Sequence, residues 1–322
     1  MTDISGPIFE LEPGERSGVA ELAGRLAGAA PGLVDDPRWL DAARRLSNRL
    51  PHRLRERLRD HRHDAGPDGL LLVRGLPAGD AALPPTPSVP GSVERDATLP
   101  ACVQMLIVFQ LGEPGAFAEE KAGALVQNIV PVPGREEQQS NAGSVVFEMH
   151  VENAFHEHSP DFVALSCLRN DHENQARLRV ASVRRALGLL DRRAAAVLAE
   201  PRFVTEPPTS FRGRDGGARP HAVLTGDPAD PDVRVDFSTT HPVDDEAKQA
   251  MWRLQEAFEA SALEFPLSRG DLALLDNRLS LHGRTAFVPR YDGRDRWLHR
   301  TFVHLDGRRT RPARADNGYV LA

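Results

Sequence analysis

The sequence predicts a mainly β protein with flanking helices. From residue 125 onward, short runs rich in Val, Leu and Phe alternate with turn-forming Asn, Asp, Gly and Pro, a pattern typical of a barrel or sandwich. Before residue 69 the apolar spacing is helical. No repeat or linker divides the chain, so we expect one domain over 1–322, with a helical N-terminal part at 1–68 and a β core with helical insertions at 69–322.

The composition argues against several classes of protein. The 322 residues carry a net charge of −6 without a block of one sign, which disfavours a nucleic-acid or membrane-surface partner. The N-terminus lacks a secretory pattern, and no apolar run is long enough to span a membrane. Two cysteines, Cys102 and Cys167, do not make a disulfide framework. We therefore expect a cytoplasmic protein and leave its oligomeric state open.

The first third of the chain is predicted to be helical around one strand. Helical spacing of apolar residues predicts helices at 15–29 and 36–59, with a break at Pro51. The run 69–77 predicts a short buried strand. The Pro-rich loop 78–97 after it is open between a lid and a disordered segment. Residues 99–111 predict a buried helix.

The remaining two thirds alternate strands with two helices. Strands are predicted at 125–132, 144–149, 162–169, 180–183, 221–224, 233–237, 271–275 and 298–304. Helices are predicted at 183–199 and at 244–263, the second of which is amphipathic.

The chemistry of the chain centres on His150-Val-Glu152. Side chains at positions i and i+2 of a strand point to the same face, so His150 and Glu152 can reach one point. An imidazole and a carboxylate are two of the three ligands in the 2-His-1-carboxylate triad of non-heme iron oxygenases. The best third ligand is His282, which follows an apolar strand and a polar turn and precedes Gly283. A bare His-x-Glu is a weak signal by itself.

Arg296 completes the pattern. Three ligands on one face of an iron ion leave room for a bidentate 2-oxo acid and O₂. The distal carboxylate of 2-oxoglutarate then needs a cation, and the planar fork of arginine binds a carboxylate bidentately. Arg296 follows His282 at a short interval, at the entrance of a predicted strand.

Three stretches of the sequence resemble the clavaminate synthase-like oxygenases. They are Val73-Arg-Gly-Leu-Pro77, the segment from His150 to Arg169, and the segment from His282 to Arg300. The resemblance implies a double-stranded β-helix, or jelly roll, with helices packed outside. It also implies Fe(II), with 2-oxoglutarate and O₂ as co-substrates, and hydroxylation of an sp³ carbon of a free L-amino acid.

The resemblance carries roles onto individual residues. It implies that His150, Glu152 and His282 bind the iron and that Arg296 binds the 5-carboxylate of 2-oxoglutarate. Where related halogenases have a small residue, this chain keeps the carboxylate of Glu152, so hydroxylation is the expected outcome. The family often has a threonine near Leu178 that helps to bind 2-oxoglutarate, and that contact is absent here or supplied by another residue.

The resemblance also implies a substrate site. Arg300 is a candidate for the α-carboxylate of the amino acid, and Gln127 and Ser140 fall where relatives contact its backbone atoms. Asp236 falls where arginine-hydroxylating relatives place carboxylates against the side-chain cation. We therefore expect a basic amino acid, with lysine first and arginine, ornithine and citrulline next.

Other interpretations stay open at this stage. Arg300, Asp236 and Gln127 are also compatible with purely structural roles. The reaction can end in desaturation or cyclisation, and a catalytically silent metal-binding protein of the same fold or a zinc hydrolase is an alternative. Other histidines are expected outside the metal site: His156 and His158 beside it, His299 facing away from it, and His61 and His63 at a solvated helix end.

Overall fold

The computed structural model describes residues 6–79, 83–208, 211 and 219–322. The helices are α1 (Pro13–Ala27), α2 (Pro37–Ser47), α3 (His52–His63), α4 (Leu99–Leu111), α5 (Val183–Ala186), α6 (Arg192–Leu198) and α7 (Asp245–Ser261). The first nine strands are β1 (Ile8–Glu10), β2 (Leu70–Arg74), β3 (Val93–Glu94), β4 (Glu113–Phe117), β5 (Val126–Ile129), β6 (Phe147–His150), β7 (Phe162–Arg169), β8 (Arg177–Ser182) and β9 (Phe203–Thr205). They are followed by β10 (Leu224–Asp227), β11 (Asp230–Val233), β12 (Thr240–Pro242), β13 (Leu263–Pro266), β14 (Leu272–Asp276), β15 (Ser280–Arg284), β16 (Trp297–His304) and β17 (Val320–Leu321).

Two sheets form the core. The larger sheet has nine strands, ordered β1-β2-β14-β7-β16-β4-β17, with β5 also paired to β16 and β3 paired to β5. The smaller sheet has the order β13-β8-β15-β6. One apolar cluster contains side chains of both sheets, including Leu165 and Phe302 from the larger and Leu178 and Val180 from the smaller. This arrangement matches the expected jelly roll with flanking helices.

The N-terminal helices and α4 cover the outer face of the larger sheet. Trp39 of α2 and Leu54 of α3 are fully buried in one cluster with Ile107 of α4 and Leu274 of β14. Each fully buried apolar side chain of this size contributes about 1.5–3 kcal/mol relative to exposure. The single run of apolar residues in α4 is explained by this position between helices and sheet.

The helices α5, α6 and α7 cover the smaller sheet. Leu254 and Phe258 of α7 are fully buried in a cluster with Leu281 of β15 and Met149 of β6. The helix α7 begins at an N-cap, where the carboxylate of Asp244 accepts a hydrogen bond from the backbone of the third helical residue at 2.9 Å. Both strands that carry predicted metal ligands are therefore backed by a packed helix.

Several elements differ from the prediction for identifiable reasons. The predicted helix 183–199 is divided, because the side chain of Asp191 caps a new helix by accepting from the Ala194 amide at 2.8 Å. The strand β15 was not predicted: the sequence placed His282 after a polar turn, whereas His282 lies within a strand whose five residues are all buried. His61 was expected to be solvated, yet it is fully buried, with its ring 5.7 Å from that of Phe162.

The Pro-rich loop is ordered where it is described. Residues 80–82 lie outside the described part of the chain. From Leu83 onward the loop is attached to the turn that precedes β16: the Thr86 amide donates to the Gly293 carbonyl at 2.8 Å, and its hydroxyl donates to the Asp295 carbonyl at 2.7 Å. The described part of the loop is therefore attached to the turn before β16. Within the described residues, no helix has the length and apolarity needed to cross a membrane.

Candidate active site

Pairing of β6 with β15 brings His150 and His282 together. The two residues are cross-strand partners, and their ring centroids are 4.6 Å apart. The strands approach closely because residue 283 is glycine: a Cβ there would lie 2.5 Å from the Phe147 carbonyl oxygen. Nδ1 of His150 donates to the Glu148 carbonyl at 2.9 Å, which leaves Nε2 free to bind a metal.

Glu152 is held in place by Asn277. The sequence suggested that strand alternation brings Glu152 to the same face as His150. The strand β6 ends at His150, however, so strand alternation does not by itself position Glu152. The Glu152 amide donates to Oδ1 of Asn277 at 2.8 Å, and Nδ2 of Asn277 donates back to the Glu152 carbonyl at 3.1 Å. The result places Oε2 of Glu152 3.6 Å from Nε2 of His282. The sequence analysis did not predict a role for Asn277, because its position after an apolar strand is the only signal that the sequence gives.

The three side chains form a donor set that suits Fe(II). One ligand atom from each of His150, Glu152 and His282 lies within 4.8 Å of the other two, and all three residues are buried. Burial alone would raise the pKa of Glu152, but the Arg300 charge and the hydrogen bond with His282 hold it well below its usual range. Burial lowers the pKa of His282. A carboxylate from Glu152 and a neutral imidazole from His282 are thus available at neutral pH, as the 2-His-1-carboxylate site requires.

Arg300 joins the metal site to the neighbouring cavity. It is 1% exposed, and its Nη1 donates to Oε1 of Glu152 at 2.8 Å. Its Nε donates to Oε1 of Gln127 at 3.2 Å, and its Nη2 forms an ion pair with Glu120. Glu120 was not predicted, because nothing near it in the sequence resembles a motif. It reaches Arg300 only through the packing of the turn after β4.

Arg296 is a buried cation with no partner among the described residues. It is 6% exposed and forms no hydrogen bond or ion pair with any residue that the structure describes. Burial lowers its pKa. A second buried arginine, Arg284, lies nearby: burial, reinforced by the charge of Arg296, lowers the pKa of Arg284 to about 9. Buried charges are costly without a counterion, so this pair points to a site for an anion.

A cavity of about 260 Å³ adjoins the metal site. His150, Glu152 and Arg300 line it, together with residues from four other parts of the chain, among them Glu120, Ser140, Asn141, Phe211 and Asp236. Asp236 forms a single antiparallel bridge with His150, so the two side chains are neighbours. Gln127 is behind Arg300. Leu178, near which the family often has a threonine, belongs to the apolar cluster between the sheets.

Comparisons with known proteins decide the family. The profile of the taurine catabolism dioxygenase TauD, TfdA family matches residues 37–302. The chain belongs to the TauD/TfdA family. This TauD/TfdA protein is 50% identical to L-asparagine oxygenase of Streptomyces coelicolor, over 97% of this chain and 93% of that one. It is 36% identical to clavaminate synthase 2 of Streptomyces clavuligerus, over 94% of each chain.

Solved structures agree with the sequence matches. Asparagine oxygenase in complex with Fe(II), 3-hydroxyasparagine and succinate superposes with a TM-score of 0.95 at 50% identity, covering 98% of this chain and 99% of that one. The non-heme iron oxygenase OrfP with Fe and α-ketoglutaric acid has a TM-score of 0.89 at 33% identity, covering 98% and 100%. This TauD/TfdA protein is an Fe(II)- and 2-oxoglutarate-dependent amino-acid oxygenase. The predicted family, fold, enzyme class and cofactors are confirmed, and the matches favour an oxygenase over a zinc hydrolase.

Proposed function

We propose that this oxygenase hydroxylates free L-asparagine. The observation that supports this most is the bridge between Asp236 and His150, because the proposal assigns Asp236 to the side chain of the substrate and His150 to the metal. The similarity to L-asparagine oxygenase along nearly the whole chain supports the same substrate. The sequence alone had favoured a basic amino acid, lysine first.

In this proposal His150, Glu152 and His282 hold Fe(II). Iron with O₂ and 2-oxoglutarate supplies the oxidant that replaces a C–H bond by C–OH, while 2-oxoglutarate becomes succinate and CO₂. The chain's part is to fix the ligands. The Glu148 carbonyl sets the tautomer of His150, and Arg300 occupies Oε1 of Glu152, which leaves Oε2 directed toward His282.

Arg296 receives the distal carboxylate of 2-oxoglutarate. Its burial without a described partner is the supporting observation, because a guanidinium in that position is stabilised by a bidentate anion. Arg284 adds positive charge to the same region. The threonine contact of relatives has no equivalent at Leu178, so the two arginines carry a larger share of co-substrate binding.

The backbone atoms of the amino acid bind between Arg300 and Glu120. Arg300 receives the α-carboxylate, and Glu120 accepts hydrogen bonds from the ammonium group. Gln127 orients Arg300 rather than contacting the substrate, and Ser140 lies in the cavity wall. A zwitterion leaves the Arg300–Glu120 pair electrically balanced, so a free amino acid suits the site better than a peptide segment without these charges.

Asp236 favours a short side chain. Cross-strand neighbours have Cβ atoms about 4.5–5.5 Å apart, so in this proposal the carboxylate of Asp236 lies near the part of the substrate that faces the metal. The amide of asparagine is attached directly to Cβ and reaches it while Cβ faces the metal. The ammonium nitrogen of lysine is separated from Cβ by three carbons, whereas the amide nitrogen of asparagine is separated from it by one. One oxygen, Oδ1, already accepts from the amide and hydroxyl of Ser238 at 2.9 and 2.6 Å, which leaves Oδ2 for the substrate amide.

A competition among amino acids tests the substrate. The iron-loaded enzyme is given asparagine, aspartate, glutamine, lysine, arginine, ornithine and citrulline at equal concentration, and products are separated by mass spectrometry. We expect asparagine to be consumed first, with a product heavier by one oxygen and one succinate for each turnover. Preferred turnover of lysine or arginine would contradict the proposal. A product lighter by two hydrogens would indicate desaturation or cyclisation, and no succinate would indicate a silent protein.

We also propose that the enzyme works in the cytoplasm. Cys102 and Cys167 are buried free thiols, as in proteins of a reducing compartment. Localisation of a tagged full-length chain by fractionation tests this.

A further inference from the structure

Lys121 occupies an unusual place for a lysine in this protein. The chain contains only two lysines, Lys121 and Lys248; all its other basic side chains apart from histidine are arginines. Lys248 is exposed on α7. The ammonium group of Lys121 instead donates to the Asn128 carbonyl of β5 and, at 3.4 Å, to the Ser92 carbonyl just before β3. A compact ammonium suits two carbonyl groups on different strands better than a planar guanidinium does.

Lys121 also lies in a strained turn beside the amino-acid site. Lys121, Ala122 and Gly123 have φ angles of 47°, 52° and 69°, so three successive residues are left-handed. This backbone is costly for residues with a Cβ, and it persists only where the surroundings enforce it. The residue immediately before the turn is Glu120, which lines the cavity and pairs with Arg300.

The contacts of the turn explain how it is held. The Lys121 ammonium attaches it to β5 one residue after Gln127, and Gln127 accepts a hydrogen bond from Arg300. The Ala122 carbonyl accepts from Arg95 at 3.3 Å at the exposed end of the turn. Burial lowers the pKa of Lys121 to about 7, and the nearby Arg300 charge acts in the same direction. The ammonium is therefore part of the same electrostatic environment as the substrate site.

We propose that Lys121 is a positioning residue for the amino acid: it fastens the strained turn to β5 and thereby holds Glu120 against Arg300. This inference deepens the proposed function and rests on Glu120 and Arg300 binding the substrate backbone. Lys121 contacts neither the substrate nor the metal. Its effect is confined to the orientation of the Glu120 carboxylate. A substitution of Lys121 should therefore weaken amino-acid binding without changing the binding of co-substrate or metal.

Steady-state kinetics test the proposal. Lys121→Met keeps the length of the side chain and removes its donors, and Lys248→Met is the matched control on the surface. We expect Lys121→Met to raise KM for the amino acid about tenfold, with kcat within about twofold and with unchanged dissociation constants for 2-oxoglutarate and metal. Lys248→Met should match the wild type. A KM for Lys121→Met equal to that of the wild type would overturn the proposal.

A second variant guards against loss of folding. Ala122→Gly removes the Cβ that opposes the left-handed backbone without touching the Lys121 ammonium, so the turn is relaxed while the fold is kept or stabilised. Combined with Lys121→Met, this change should lower the KM for the amino acid part of the way back to that of the wild type. If Lys121→Met does not fold, Lys121→Arg takes its place, because a planar guanidinium suits the two carbonyl groups less well than the ammonium does. A Lys121→Arg enzyme with normal Tm and normal KM would overturn the proposal.

Two lysines also give a direct spectroscopic readout. Enzyme labelled with ¹³Cε-lysine and loaded with Zn(II) and 2-oxoglutarate should show two lysine signals, which Lys121→Met assigns. Saturation with asparagine should shift the Lys121 signal and leave that of Lys248 in place. An unmoved Lys121 signal would contradict the inference. If the wild type does not turn over asparagine, the substrate proposal fails, and the kinetic and spectroscopic experiments are then made with the amino acid that the wild type does turn over. If it turns over no amino acid, both the substrate proposal and the role of Lys121 are contradicted.

Discussion

At the scale of single residues, Arg300 connects what the sequence keeps apart. Its guanidinium contacts Glu152 of the metal site, Gln127 of β5 and Glu120 of the turn after β4. In the proposed site, the substrate carboxylate, the metal-binding carboxylate and the acceptor of the ammonium group therefore share one cation. Any change in the metal ligands is expected to reach amino-acid binding through this residue.

Asp236 offers a direct test of side-chain recognition. Asp236→Asn replaces an acceptor by an amide that also donates. We expect kcat/KM for asparagine to fall about ten- to hundredfold, because the substrate amide loses a charged acceptor. Aspartate should become a substrate, since its carboxylate is no longer repelled. Rates with both amino acids measure the switch, and an enzyme that still prefers asparagine by the wild-type ratio would contradict it.

The sequence was sufficient for some site residues and insufficient for others. His150, Glu152 and His282 belong to segments with recognisable spacing, and they do converge. Glu120 and Asn277 escaped because an isolated acid or amide carries no pattern. Both act through tertiary contacts, with Glu120 on Arg300 and Asn277 on the backbone of Glu152.

At the scale of elements, β15 is the strand on which the site depends. It carries Ser280, His282 and Arg284, and Leu281 is its one large apolar residue, so no apolar run marks the segment as a buried strand. The sequence analysis therefore predicted a polar turn before His282 and no strand here. In contrast, β7 was predicted with its observed boundaries, because its residues are an apolar run in the centre of the larger sheet.

Gly283 makes the contact between β15 and β6 possible. Gly283→Ala places a Cβ 2.5 Å from the Phe147 carbonyl, so the strands must separate. We expect at least a tenfold loss of metal affinity, measured by competition with a chelating dye, together with a lower Tm. Gly188→Ala is the control, because nothing lies within 4 Å of the added Cβ. Equal metal affinity in both variants would mean that the strand spacing does not set the site.

At the scale of the whole molecule, the jelly roll was accessible from the sequence through resemblance. The pattern of apolar and turn-forming residues alone predicted only a β core with helices, because short strands of mixed polarity do not show which strands pair with each other. The position of α4 was accessible from its continuous apolar residues. The buried polar groups of the core could not be predicted from the sequence: His61 and His299, for example, are both fully buried.

These histidines make stability depend on pH. Burial lowers the pKa of His299 and of His61 to about 3 each. The unfolded chain binds protons near pH 6.5 while the folded chain does not, so stability is fully present above pH 6.5 and is lost as pH falls toward 3. Each group contributes a slope of about 1.4 kcal/mol per pH unit in that range.

Replacement of His299 tests this dependence. Neither ring nitrogen of His299 has a hydrogen-bond partner among the residues described, so leucine removes an unsatisfied polar group. We expect His299→Leu to unfold at higher urea than the wild type at pH 5, with a smaller difference at pH 8. His63→Gln, at an exposed position of α3, should follow the wild-type curve. A His299→Leu curve parallel to that of the wild type would exclude His299 as a source of the slope.

Arg284 and Arg296 repel each other inside the barrel when no anion screens them. Succinate keeps the distal carboxylate of 2-oxoglutarate and so retains the group that, in the proposed site, relieves this repulsion. We expect the spent co-substrate to leave slowly and to inhibit turnover in competition with 2-oxoglutarate. Both compounds should protect the protein against heat, whereas 2-oxobutyrate, which lacks a distal carboxylate, should not. If 2-oxoglutarate, succinate and 2-oxobutyrate raise Tm equally, the arginine pair does not bind the distal carboxylate. Succinate would then be expected to dissociate quickly.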